Sequence, residues 1–320
     1  MFYYLNKNTI IQLIAIIGLA IWALLGIFTQ MTLLPPDNQA FLFQAIHPFL
    51  TTHAWCYKAL AVILIAMTTI FLQRSFVISK FSDNITYMPI LFFLLLLNLN
   101  HSFATFTPVF FTICTAALLL MMNAQNEHSV SIRNRIFSAG LILGISTLFD
   151  HNSIWLLLMM FLLVLTSSIS KFKELLILLI GFLFVYLYLF TYGYLSDNIP
   201  AITDNIHGLG YLYIIHNLST LQWTDWLLLA VLAVTLLLFT FAGKIYFDNK
   251  VVALRRRFIA CILLTITLIV LGIFSPFGLQ ISLPYLLLPT SFIFGITALI
   301  EERKWLHDLF ILATGVLLWL

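Results

Sequence analysis

IIQLIAIIGLAIWALLGIF, residues 10–28, is nineteen residues long and carries no charge. At a rise of about 1.5 Å per residue a helix of this length reaches about 28 Å, close to the hydrocarbon thickness of a bilayer. The pattern returns in DWLLLAVLAVTLLLFTFAG, residues 225–243. Neither run alternates apolar with polar residues, so helices rather than barrel strands must satisfy the backbone. The whole chain follows suit. Of its 320 residues 62% are hydrophobic and 8% charged, a composition that cannot cover a water-soluble surface.

The sequence therefore predicts an all-α, polytopic transmembrane protein forming a single integral membrane domain over residues 1–320. Spans are expected near 9–29, 55–73, 85–100, 106–123, 136–150, 153–170, 174–195, 225–243, 257–275, 281–300 and 306–320, about eleven in all. The first run has one nearby cation, Lys7, and no small-x-small cleavage site before Pro35, so it reads as an uncleaved span. Cys56, Cys114 and Cys261 lie far apart and give neither a disulfide framework nor a CxxC metal site. A net charge of +3 spread over short loops points to membrane topology and away from nucleic acid.

Placing the N-terminus in the cytoplasm puts 14 of the 15 basic residues on that side, as the positive-inside rule requires. Lys58 is the exception. The opposite face then collects Asp37, Asp150, Asp197, Asp204 and Asp225, with His47, His53, His101, His151, His207 and His216. Two explanations stay open: Asp and His are tolerated where Lys and Arg are excluded, or this face carries a site. Ionisable residues deep inside the spans are scarce, and no internal repeat is visible, which leaves a transporter as the third reading.

TLLPPDNQAFLFQAIHPF, residues 32–49, follows the first span. Pro35 and Pro36 end that helix. Asp37 stands where an N-cap would serve a helix beginning at Asn38, with Phe41, Leu42, Ile46 and Phe49 toward lipid and Gln44 and His47 toward water. Lys58 reads as a snorkelling side chain beside Trp55 and Tyr57, or as a phosphate contact. FDHNS, residues 149–153, makes a tight turn that Asp150 and Asn152 suit. Gly140 and Gly144 form G-x-x-x-G, which lets another helix approach closely. Tyr186, Tyr188, Tyr192 and Tyr194 read as an interface belt. No ligand spacing supports a metal among His101, His151 and the acids, and no cofactor is expected.

The order of span, acidic loop and interfacial helix resembles the start of the GT-C superfamily of membrane glycosyltransferases, whose members include polyprenyl-phosphate-sugar enzymes. YMPILFFLLLLNLNHSFATFTPVFFTICTAALLLMMN (87–123) is similar to their paired spans, and SAGLILGISTLFDHNSIWLLLMMFLLVL (138–165) to their small-residue span and the helix after it. With KFKELLILLIGFLFVYLYLFTYGYLSD (171–197), these stretches also resemble an uncharacterised Bacteroidota family of polytopic proteins. The resemblance implies a GT-C-like core over residues 1–200, with further spans over 201–320. It also implies sugar transfer from a polyprenyl-phosphate donor at the outer face of the cell inner membrane, with Asp37 as catalytic base and Lys58, His101, Asp150 and His151 as substrate-binding residues. Asp37-Asn38 stands where paired acids are common in that superfamily, and Asp150-His151 where a basic residue often follows. A non-catalytic membrane subunit or scaffold of an envelope complex, with a membrane protein partner, is therefore the second reading. Whether the chain is an enzyme stays open.

Overall fold

A computed structural model describes residues 9–34, 40–79, 86–99, 104–124, 132–166, 171–197, 252–274 and 284–297, with isolated positions 199, 202, 203, 237, 241 and 244. About 91% of it is helical. In chain order come α1 (Thr9–Gln30), β1 (Thr32–Leu33), α2 (Phe41–Thr52), α3 (Ala54–Ser79), α4 (Met88–Leu99), β2 (Thr105–Phe106), α5 (Val109–Ala124) and α6 (Ile132–Phe149). A 3₁₀ turn (His151–Ser153) follows, then α7 (Ile154–Thr166), α8 (Lys171–Leu195), α9 (Val252–Phe274) and α10 (Pro284–Thr297). Helices lie at nine of the eleven expected positions, while 306–320 and all of 225–243 except Leu237 and Phe241 lie outside the described residues.

Three of the helices are long and apolar enough to cross a membrane: Thr9–Gln30, Ala54–Ser79 and Phe172–Leu195. Others are shorter. The 12 residues of α4 rise about 18 Å and the 13 of α7 about 20 Å, less than a bilayer core. Burial explains their composition in another way. Phe92, Phe93, Leu96 and Leu97 of α4, and Leu287, Phe292 and Phe294 of α10, belong to one continuous core, so an apolar run there answers to neighbouring helices. The long helices turn apolar side chains outward instead, among them Ile14 and Trp22 of α1 and Leu183 and Leu187 of α8. Lipid is the solvent that tolerates such a surface, and the chain is a membrane protein.

Close packing of α6 on α8 fulfils the G-x-x-x-G expectation. A Cβ built on Gly140 would collide with the Leu178 carbonyl and lie 2.9 Å from the Phe182 amide, and one on Gly144 would stand 2.8 Å from Val185 Cγ2. Gly181 answers from the other side, where a Cβ would meet the Phe137 carbonyl. The two backbones touch because three side chains are missing.

Hydrogen bonds divide the bundle into two ends. At one end, Thr32 N donates to the Ala104 carbonyl at 2.9 Å and Leu34 N to that of Phe106 at 3.2 Å, closing a two-residue parallel bridge of β1 with β2. Phe106 stacks with Phe43 of α2 and Phe110 of α5, and Phe111 lies on Phe149 at 4.1 Å between ring centroids. At the other end, Tyr87 N donates to Gln12 Oε1 (2.9 Å), and Gln73 Nε2 to the Thr86 carbonyl (2.9 Å). Midway, Asn98 Nδ2 donates to the Leu19 carbonyl at 3.0 Å, tying α4 to α1. The alternation of loops that placed Lys58 opposite Arg74, Arg133, Arg135 and Lys173 thus reappears as two physical rims.

The segment after α1 corrects the sequence reading. Its helix begins at Phe41, with Ala40 in extended geometry as N-cap and no side-chain cap bond. Asn38 does not start it, and the N-cap role expected of Asp37 falls to Ala40. Pro48 lies inside the helix, where the hydroxyls of Thr51 and Thr52 donate to its carbonyl at 2.8 and 2.9 Å. The apolar face points partly inward: Phe43 and Leu50 are buried, and Phe41, Leu42 and Ile46 pack against the core.

Candidate functional site

Of the five residues expected to carry function, Lys58, Asp150 and His151 are among the described residues. Asp37 and His101 lie outside them. Lys58, on the first turns of α3, donates from Nζ to the Phe28 carbonyl at 2.7 Å. That oxygen is one of the last four carbonyls of α1, which have no partner within their own helix, and the negative end of the helix dipole favours a cation there. Lys58 is thus a cap on α1, and the ammonium has a structural partner. Its neighbour Tyr57 is buried and donates to the Met31 carbonyl at 3.1 Å, so it turns inward and leaves Trp55 alone in the expected belt. Tyr186 leaves the other expected belt for the same reason: it is buried, and its hydroxyl lies 2.9 Å from that of Thr147.

Asp150 and His151 meet very different surroundings. His151 is half-buried in the 3₁₀ turn. Asp150 is only 2% exposed. Its Oδ1 accepts from Asn152 N at 3.1 Å, the bond of an ordinary turn cap, as the sequence suggested. Its Oδ2 accepts from Thr112 Oγ1 and from Tyr285 OH, both at 2.5 Å. The network continues outward: Thr112 Oγ1 lies 2.7 Å from Ser153 Oγ, which lies 2.8 Å from Ser146 Oγ. Each hydroxyl and carboxylate oxygen of this network has a partner, and one carboxylate links α5, α6, the turn before α7, and α10.

A buried carboxylate is costly unless its surroundings compensate it. Here helix geometry contributes together with the hydroxyls. Thr112 sits in the first turn of α5, Tyr285 is the second residue of α10, and Asp150 itself opens the turn that leads into α7. Three helix beginnings, each carrying the partial positive charge of its dipole, surround one anionic side chain. The arrangement binds the bundle together, with Asp150 buried and both of its oxygens already accepting from the bundle's own groups.

Sequence reasoning found Asp150 but missed its partners. Ser146 and Ser153 stand four residues before and three after it, a spacing that flags a shared neighbourhood. Thr112 and Tyr285 come from distant elements, and nothing local marks them. Among the described residues, no three His, Cys, Asp or Glu side chains converge as a metal site would require. The chain matches no known protein family, no curated protein and no solved structure.

Proposed function

We propose that the protein is a non-catalytic subunit of the inner membrane, with the Asp150 rim outside and the arginine-bearing rim in the cytoplasm, contributing a scaffold to an envelope assembly. One observation carries this reading: Asp150, the buried charged candidate, is engaged by the bundle's own hydroxyls and backbone, while Lys58 commits one of its three donors to the end of α1. An acid or phosphate contact in a transferase needs free hydrogen-bonding capacity toward its substrate. The test is replacement of Asp37 by Asn in the native host. The scaffold reading predicts an unchanged envelope phenotype at unchanged protein level.

Sugar transfer from a polyprenyl-phosphate donor is the second reading. It is favoured by the order of parts, since a membrane-length helix, an extended segment, a helix at the rim and a second membrane-length helix follow one another as the GT-C resemblance implies. In that case Asp37 takes the acceptor proton and Asp37→Asn abolishes function. Purified protein in liposomes would also move labelled sugar from a polyprenyl phosphate to an acceptor.

A further inference from the structure

We propose that Phe49 and Trp55 form an aromatic anchor bedded in the lipid headgroup region at the Asp150 rim. The inference rests on the membrane reading and adds to it a specific contact surface. The aromatic residues of α2 and the start of α3 fall into two sets. Phe43 and Tyr57 are buried, held by Phe106 and by the Met31 carbonyl. Phe49 and Trp55 face outward, 57% and 69% exposed. The turn between them is short and fixed: His53 N donates to the Phe49 carbonyl at 3.0 Å and Cys56 N to the His53 carbonyl at 2.8 Å. The exposed His53 ring meets Phe49 edge-on at 4.9 Å.

Depth identifies the occupant. Both α1 and α3 are long enough to cross a bilayer, and they meet at this rim, where Lys58 reaches the Phe28 carbonyl. Gln30 ends one helix and Ala54 begins the other, so their adjoining ends mark one boundary of the hydrocarbon. Trp55 stands at that boundary. An indole there keeps its ring in apolar surroundings and its N–H among headgroups, the arrangement for which Trp is enriched at membrane interfaces. Lys58 brings a cation to the same level, which suits phosphate-bearing lipids.

The test uses the full chain in phosphatidylcholine liposomes carrying bromines either close to the headgroup or near the chain ends. Subtracting the emission of Trp55→Phe from that of the wild type isolates Trp55. Its emission is expected to lose more intensity to shallow bromines than to deep ones. The variant F49W/W55F, which moves the indole to position 49, should show the same depth. Quenching by aqueous iodide with no bromine effect overturns the proposal, as does shielding from both quenchers, which would place a protein partner on the patch. Trp22 separates this failure from failure of the membrane reading. It is 47% exposed and lies eight residues before the end of α1, about 12 Å deeper. Deep quenching of the Trp22 difference signal keeps the membrane reading intact even if Trp55 fails.

Discussion

Replacing Asp150 by alanine withdraws the acceptor from three donors at once, the hydroxyls of Thr112 and Tyr285 and the amide of Asn152. A buried donor left without a partner costs about 1–3 kcal/mol. The three will not suffer equally. Thr112 can rotate toward Ser153, already 2.7 Å away, and Asn152 is half-buried. Tyr285, fully buried, bears most of the loss, and the expected total is about 2–4 kcal/mol. Asp150→Asn keeps one acceptor and should cost about 1–2 kcal/mol. Equilibrium unfolding in mixed micelles, followed by circular dichroism, measures both. A cycle of Asp150→Asn with Tyr285→Phe should show a coupling of about 0.5–2 kcal/mol. If Asp150→Ala stays within about 0.5 kcal/mol of wild type, the carboxylate is not the joint between α5, the α6–α7 turn and α10, and the reasoning fails.

Gly140→Val forces a branched side chain into the Leu178 and Phe182 backbone and should destabilise the bundle by about 1–3 kcal/mol or more, read by the same unfolding assay. Lys58→Met removes the cap on α1 and should cost about 1 kcal/mol with cellular function retained; a variant of normal stability and lost function would instead make Lys58 a substrate contact. Asn98→Leu cuts the bond from α4 to the Leu19 carbonyl, with an expected loss of about 0.6–2 kcal/mol in unfolding free energy.

Much of the architecture was legible because a membrane-length apolar run has few alternatives. The expected spans at 9–29 and 174–195 fall almost entirely within α1 and α8. The Gly140–Gly144 pair announced a close helix contact, although the partner Gly181 could be found only in the fold. Short apolar runs were harder to read. Composition cannot distinguish a helix buried by protein, such as α4, from one facing lipid, because both solvents select the same side chains. The α2 start was misread because Asp37 offered a plausible cap, whereas Ala40 caps by backbone geometry alone. Asp150 looked like a turn residue and is one. Its second role depends on Thr112 and Tyr285, 38 and 135 positions away, and no local pattern encodes such a meeting.

Sidedness of the two rims underlies the functional reading, and cysteine accessibility measures it directly. In a chain with Cys56 replaced by serine, Thr51→Cys places a thiol on the exposed face of α2 and Phe172→Cys one on the first turn of α8. A membrane-impermeant maleimide added to spheroplasts of the native host should label position 51 immediately and position 172 only after permeabilisation. Labelling of position 172 first would reverse the orientation and remove the extracytoplasmic role proposed for the Asp150 rim.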